Sequence, residues 1–289
     1  MAGTPPFTQL KRLLEGISPR TYGSLRLHYH RRLLYKMLLE FAGRYGLAVQ
    51  GGPHQGMQYL PKLLCLENVD KYALFPKILG SYERELHAVL AGMLRKGYDR
   101  VVNIGCADGY YSIGISRELP KAHIYAFDID HEAQQICQQM AQLNGVADRV
   151  TVGGECGIKD LKGLVRAGTL VICDCEGCEL DPPRPDLAPN LARGDLIVEL
   201  HDCVNPSISS TISDRFGRTH KILVLNGQDR NPSNDQSLRR YSPYKRRLAL
   251  GEWRWARPMW AIMTPKDGAM SGRTFEVKDF PFFGQHENV

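Results

Sequence analysis

The 289-residue sequence lacks several features that would set it apart from ordinary globular proteins. No stretch approaches the roughly 18 uninterrupted apolar residues of a membrane helix, so no membrane span is predicted. Internal repeats and low-complexity tracts are also missing, which excludes repeat architectures. The first residues have no basic region leading into an apolar core, as a secretory signal would. We therefore expect a cytoplasmic protein whose eight cysteines are reduced thiols.

Positive charge is concentrated in two segments of the chain. The formal net charge is +6, and residues 1–50 alone carry eight basic residues against two acidic ones. Residues 228–257 contain eight basic residues against three acidic ones, interleaved with tyrosine and tryptophan. Such segments can attract nucleic acid or simply form solvated surfaces. The solvated interpretation is favoured, so a nucleic-acid partner is an alternative only.

Residues 1–79 are predicted to form an N-terminal helical and loop extension. Apolar residues recur at helical spacing over residues 24–45, with basic residues on the other face. This amphipathic helix is expected to pack over the main domain, with a membrane-surface helix as the alternative, and it could pair with a second copy in a homodimer. The Gly- and Pro-rich residues 51–79 are predicted to be loop with short strands.

Residues 80–289 are predicted to form the main domain. Ser81 is a good N-cap for a helix that ends near residue 96. Strands and helices then alternate, with a helix at 187–192 and strands at 100–104, 123–127, 149–152, 169–173, 195–200, 221–225 and 259–263. This alternation predicts an α/β fold, a mostly parallel seven-stranded sheet with helices on both faces. The basic, aromatic residues 226–257 are predicted to be an insertion outside the core.

The most informative motif is the glycine turn, Gly105-Cys-Ala107-Asp-Gly109, at the end of the first predicted strand. Small residues let a ligand approach the backbone, and the amide groups that open the next helix face it. Asp128 ends the following strand, where a carboxylate can bind both hydroxyls of a ribose. The spacing is one residue tighter than the Gly-x-Gly-x-x-Gly of dinucleotide-binding dehydrogenases.

Together, the glycine turn, the strand-end Asp128 and the alternation of strands and helices resemble the class I S-adenosylmethionine (SAM) methyltransferases. Further segments resemble FkbM-type members of that family: 52–59, 79–83, the Asp-x-Glu-Gly-x-Glu segment in 171–179 and the Glu-x-His segment in 197–202. The resemblance covers about residues 50–203. It implies a Rossmann-like class I methyltransferase fold with SAM as the cofactor.

The resemblance also implies a set of cofactor-binding residues. The glycine turn would form the floor, Asp128 would hold the ribose, and Glu155 and Cys156 would lie beside the adenine. Asp174 would face the methionine end, and the amide oxygen of Asn103 could accept a hydrogen bond where many class I enzymes carry an acid. The full predicted set is Tyr82, Glu83, Asn103, Gly105, Cys106, Ala107, Gly109, Tyr111, Asp128, Ile129, Glu155, Cys156 and Asp174.

The predicted catalytic residues are His201, Asp174 and Glu176, which follow two neighbouring strands whose carboxyl ends share one edge of the sheet. A hydroxyl acceptor benefits from a base with a near-neutral pKa, so His201 is the candidate base, oriented by Asp174 or Glu176. A histidine fixed by hydrogen bonds to its loop is the alternative. A divalent cation held by these carboxylates is a further alternative, although no metal is predicted.

Four cysteines cluster near the same strand ends, namely Cys173, Cys175, Cys178 and Cys203. A thiolate metal site requires tetrahedral convergence, which a cysteine inside an apolar strand does not favour. These thiols are therefore expected to be small packing residues.

The sequence predicts methyl transfer to a small molecule, with a hydroxyl of a sugar or secondary metabolite as the favoured acceptor. The alternatives are an RNA methyltransferase that uses the two basic segments and a non-catalytic SAM-binding module. The segment Asp181-Pro-Pro-Arg184 is similar to the Asp-Pro-Pro-aromatic motif of amino-group methyltransferases. It lies seven residues after Asp174 and lacks the aromatic residue, which argues against amine methylation.

Overall fold

A seven-stranded sheet forms the centre of the computed structural model, which describes residues 19–266 apart from 72, 229, 231–234, 253 and 255. The strands are β1 (Arg100–Ile104), β2 (His123–Phe127), β3 (Val150–Gly153), β4 (Thr169–Cys173), β5 (Asp195–Glu199), β6 (His220–Asn226) and β7 (Met259–Pro265). Their spatial order is β3-β2-β1-β4-β5-β7-β6. Strands β1 to β5 pair in parallel, while β7 is antiparallel to both of its neighbours. The predicted α/β fold with a mostly parallel seven-stranded sheet is confirmed.

Helices precede, connect and flank these strands. The α-helices are α1 (Pro19–Tyr45), α2 (Asn68–Lys71), α3 (Leu74–Leu79), α4 (Arg84–Leu94), α5 (Tyr110–Glu118), α6 (His131–Leu143), α7 (Ile158–Leu164), α8 (Ile208–Phe216) and α9 (Pro243–Leu250). Short 3₁₀ helices lie at Pro61–Leu63, Pro189–Arg193 and Gln236–Leu238. None of these helices combines the length and the apolar character needed to cross a bilayer.

The alternation of side chains along the strands builds two separate cores. On one face, Val101 of β1 and Ile172 of β4 pack in a cluster that includes side chains of α1, α4, α5, α6 and α9. On the other face, Val102 and Val171 pack with side chains of α7 and α8. Helices therefore cover both faces, and the polar strand ends remain available at the edge of the sheet.

The prediction that residues 226–257 lie outside the core is wrong. Leu238, Leu248 and Leu250 of this segment are buried in the first cluster, and the Tyr241 hydroxyl donates a hydrogen bond to the Met37 carbonyl of α1 at 3.4 Å. Apolar residues of α9 thus complete the core that the amphipathic α1 begins. Trp253 and Trp255, which contribute to the aromatic character of the segment, lie outside the described residues.

Four local features also differ from the predictions. Residues 51–79, predicted to be loop with short strands, contain α2, α3 and the 3₁₀ helix Pro61–Leu63. Helix α4 begins after Glu83, which has left-handed backbone (φ 46°), and Ser81 instead donates to the Pro76 carbonyl at 3.4 Å. The helix predicted at 187–192 is the 3₁₀ helix Pro189–Arg193, whose first residue has no amide hydrogen to donate. Helix α8, between β5 and β6, was not predicted.

Candidate active site

A cavity of about 1070 Å³ lies at the carboxyl ends of β1, β2, β4 and β5. Strands β1 and β4 are neighbours in the sheet, and the connections that leave them run in opposite directions, to β2 and to β5. Ligands of open α/β sheets bind at such a point. The fold thus places the predicted glycine turn and both polar strand ends around one space.

The glycine turn forms the floor of this cavity, and two of its residues have left-handed backbone conformations. Gly105 has φ +80°, and a Cβ atom there would lie 1.7 Å from the Asp174 carbonyl oxygen. The amides of Gly105 and Cys106 both donate to the Phe127 carbonyl at 2.9 Å, which fixes the turn against β2. Ala107 is also left-handed, with φ 46°. Glycine is therefore required at position 105 by the close approach of the end of β4.

Asp128 lies where the cavity meets the end of β2. Its Oδ2 atom accepts a hydrogen bond from the Ala107 amide at 2.8 Å, and its Oδ1 atom accepts one from the Asp130 amide at 2.9 Å. The carboxylate is therefore held in place by the backbone of the glycine turn and of its own loop. Exposed Ile129 and Glu155, together with Cys156, continue the wall on this side.

Ten of the predicted residues line the cavity and five lie behind its wall. Those in the wall are Tyr82, Gly105, Ala107, Asp128, Ile129, Glu155, Cys156, Asp174, Glu176 and His201. Those behind it are Glu83, Asn103, Cys106, Gly109 and Tyr111. Asn103 donates to the Ser112 hydroxyl at 2.8 Å, and its buried amide oxygen has no hydrogen-bond partner among the described residues.

Arg254 connects the cavity wall to elements that flank it on two sides. Its guanidinium donates to the buried carboxylates of Glu83, before α4, and Glu199, at the end of β5. It also donates to Glu252 at 3.1 Å and to the Tyr82 hydroxyl at 3.2 Å. Sequence reasoning missed this arginine because it belongs to the segment predicted as an insertion, and the basic composition of that segment was the only signal.

These buried carboxylates have strongly perturbed pKa values. Burial raises the pKa of Glu83 to about 7, although Arg254 opposes the change. Burial, reinforced by the charge of Asp174, raises the pKa of Glu199 to about 12. The hydroxyl of Tyr111 donates to Glu83, which adds a second buried donor to that carboxylate. More carboxyl groups are gathered here than Arg254 can keep ionised.

His201 is oriented by a carboxylate that sequence reasoning did not assign. Its Nδ1 atom lies 2.7 Å from Oε1 of the fully buried Glu179. Asp174 and Glu176, the predicted orienting residues, lie instead 3.9 Å and 3.4 Å from Nε2 and make no hydrogen bond to it. The Glu-Gly-x-Glu part of the 171–179 segment was the available signal for Glu179.

The electrostatics of this pair follow from its surroundings. Burial lowers the pKa of His201, but the hydrogen bond to Glu179 and the nearby carboxylates outweigh it and raise that pKa above its ordinary value. Burial would raise the pKa of Glu179, but the hydrogen bond with His201 and its backbone donors lower it. Glu179 is thus held as an anion, and in the neutral form of His201 a proton on Nδ1 leaves the Nε2 lone pair directed toward Asp174 and Glu199.

A second buried ion pair supports the opposite wall. Lys77 of α3 lies 2.8 Å from Asp108 of the glycine turn, and both side chains are buried. The Tyr59 hydroxyl also donates to Asp108, at 3.3 Å. The ammonium of Lys77 lies 4.7 Å from the ring centre of Tyr82, which lines the cavity. The N-terminal segment is thereby fixed to the turn.

The clustered cysteines are free thiols. The sulfur atoms of Cys173 and Cys175 lie 3.7 Å apart, while Cys178 and Cys203 are exposed. Within the described part of the chain, the groups of three or more candidate metal ligands that converge contain carboxylates, in one group together with His201, but no cysteine. These thiols therefore do not assemble a three-thiolate site.

No family model matches the chain, and no curated protein matches it. Among solved structures, cofactor-bound Rv0187 from MTB is 18% identical with a TM-score of 0.44, covering 67% of this chain and 85% of that chain. The O-methyltransferase TomG from Streptomyces achromogenes, in complex with SAM, is 16% identical with a TM-score of 0.42, covering 62% and 78%.

An O-methyltransferase from Bacillus cereus, in complex with SAH, is 14% identical with a TM-score of 0.44, covering 68% of this chain and 88% of that chain. Identities and TM-scores this low establish no shared substrate or mechanism.

Proposed function

We propose that the chain is a SAM-dependent methyltransferase and that the cavity binds this cofactor. The supporting observation is that one space brings together the glycine turn, Asp128 and the cluster around His201. The adenosine end would lie against Asp128, Glu155 and Cys156. The methionine end would pass over the glycine turn toward Asp174, which directs the methyl group to the far half of the cavity.

The acceptor that this arrangement suits best is a hydroxyl of a small molecule, such as a sugar or a secondary metabolite, as in FkbM-type enzymes. The methyl carbon bonds to the acceptor oxygen while its bond to sulfur breaks, so the sulfonium becomes a neutral thioether. The hydroxyl proton must leave in the same reaction. His201, Asp174 and Glu176 form the catalytic cluster for that step, because the Nε2 lone pair of His201 faces the cavity.

Two measurements test this proposal. S-adenosylhomocysteine should bind the purified chain in calorimetry, and methyl-labelled SAM incubated with fractionated cell extract should give a labelled small molecule, identified by mass. Label in RNA would contradict the small-molecule acceptor and favour the basic segments as a nucleic-acid surface. Absence of S-adenosylhomocysteine binding to the folded chain would reject the cofactor assignment.

A further inference from the structure

A second cavity, of about 520 Å³, lies beside the candidate active-site cavity. The two cavities share one wall, which is formed by Glu252, Arg254, Ala256, Arg257 and Pro258. This wall belongs to the segment that connects α9 to β7. A molecule bound against it can therefore contact both spaces.

Four arginines line this second cavity, which we call the arginine cavity. Arg230 follows β6, Arg247 belongs to the last turn of α9, and Arg254 and Arg257 precede β7. Guanidinium groups from three segments of the chain thus meet around one concave space. A cleft lined by charges of one sign concentrates ions of the opposite sign, so this cavity is suited to an anion.

The two acidic residues of the lining do not offset this charge. Glu252 is neutralised by its neighbours, because Arg254 donates to it at 3.1 Å and Arg230 also donates to it. Burial raises the pKa of Glu85, and its buried Oε1 atom has no hydrogen-bond partner among the described residues. The lining as a whole therefore keeps an excess of positive charge.

Arg247 is placed to contact a ligand directly. It is exposed, and its guanidinium makes no hydrogen bond or ion pair with a residue that the structure describes. Arg257 is also exposed and lines both cavities. Arg254, in contrast, donates to buried carboxylates of its own chain and contributes charge rather than a contact.

The chemistry of the arginine cavity favours a phosphate group. A guanidinium presents paired N–H donors that match two oxygens of one phosphate, and several arginines suit a group that carries about two negative charges. We propose that the arginine cavity binds a phosphate group of the methyl acceptor, while the acceptor hydroxyl lies near His201 in the candidate active-site cavity. Arg247 and Arg257 donate to the phosphate oxygens. This inference deepens the proposed function and rests on it for the role of the bound molecule, which is then a phosphorylated small molecule such as a sugar phosphate.

The first test is titration of the full chain with inorganic phosphate, at constant ionic strength, followed by calorimetry. The wild type should bind one phosphate, and Arg247→Gln and Arg257→Gln should each weaken binding about tenfold, because each removes a hydrogen bond between charged groups. The matched control is Lys245→Gln, which removes one positive charge from the same helix at a position outside the lining of either cavity. Arg247→Gln should keep the wild-type affinity for S-adenosylhomocysteine, because Arg247 does not line the candidate active-site cavity.

The second test uses the small molecule that is labelled when the chain is incubated with methyl-labelled SAM and cell extract. This product should be retained by an anion-exchange column, and treatment with alkaline phosphatase should abolish the retention. A product whose retention does not change on this treatment would contradict a phosphorylated acceptor.

The outcomes separate this inference from the proposed function. A folded wild type that binds S-adenosylhomocysteine but not phosphate would overturn the phosphate site and leave the methyltransferase proposal standing. Unchanged phosphate affinity in Arg247→Gln and Arg257→Gln, an equal loss in Lys245→Gln, or label in RNA would also overturn the inference. Selective loss of phosphate binding in the two arginine variants supports the site even if S-adenosylhomocysteine does not bind.

Discussion

The Nδ1 atom of His201 and the Oε1 atom of Glu179 lie 2.7 Å apart, which connects the end of β5 to the loop that follows β4. The same carboxylate oxygen receives two backbone amides of its own loop. One buried anion therefore fixes the loop that carries Asp174 and Glu176 and the ring that faces them. This pair is the structural basis of the proposed catalytic cluster.

Glu179→Gln should impair turnover without affecting cofactor binding. The amide keeps the shape of the side chain but removes the charge that orients His201, and a positioned general base contributes about 10²–10⁴-fold to the rate. Labelled-product formation should fall by that factor, while S-adenosylhomocysteine affinity in calorimetry stays at the wild-type value. A parallel fall in affinity and melting temperature would assign Glu179 a purely structural role.

Asp128→Ala should weaken cofactor binding while leaving the sheet intact. A hydrogen bond to a charged acceptor is worth about 1.5–3 kcal/mol, so affinity for S-adenosylhomocysteine should fall at least tenfold. The control is Asp130→Ala, since Asp130 lies two residues away but caps α6 by accepting the Glu132 amide at 2.8 Å. Wild-type affinity in Asp128→Ala, measured by calorimetry, would place the ribose elsewhere.

The local pattern of the sequence predicts the sheet well. Strands β1, β2 and β4 begin and end where the apolar runs predict, because each run is buried and is followed by Gly105, Asp128 or Asp174. These same end residues define the cavity edge. The positions of the glycine turn and of the strand-end acids could therefore be predicted from the sequence, since in a parallel sheet strand order alone brings them together.

The contacts that complete the site could not be predicted from the local pattern of the sequence. Arg254 reaches Glu83, 171 positions earlier in the chain, and Tyr241 reaches Met37, 204 positions earlier. No local periodicity encodes such partners, so a basic and aromatic segment was predicted to be an insertion. The segment is instead part of the core, since the apolar residues of α9 are buried with those of α1 and both helices need an apolar partner.

Arg254→Met should destabilise the fold strongly. The substitution leaves Glu83 and Glu199 buried without their shared cation, and breaking a buried pair in this way costs about 3–5 kcal/mol. Urea unfolding should therefore show a lower midpoint, and adding Glu83→Gln to the same chain should recover part of the loss by removing one unpaired charge. The control is Arg184→Met, because Arg184 pairs with the exposed Asp186 and should change stability little. Equal midpoints for Arg254→Met and Arg184→Met would show that the buried carboxylates do not depend on Arg254.

His54 should make stability fall in mild acid. The ring is fully buried beside Tyr110, at 4.9 Å between ring centres, and neither nitrogen has a hydrogen-bond partner among the described residues. Burial, aided by the charges of His87 and Arg117, lowers its pKa from 6.5 to about 3. Below pH 6.5 the unfolded chain therefore binds a proton at His54. The folded chain does not bind this proton until the pH falls to about 3.

The contribution of the neutral His54 ring to the stability of the fold is thus complete above pH 6.5 and is lost as the pH falls toward 3. Within that window it should lower the free energy of unfolding by up to about 1.4 kcal/mol per pH unit. The measurement is urea unfolding of the wild type and of His54→Phe at a series of pH values between 7 and about 4.5. His54→Phe keeps an aromatic ring beside Tyr110 but cannot titrate, so its stability should depend less steeply on pH. Since the other titrating groups are common to both chains, identical slopes would contradict a buried neutral His54.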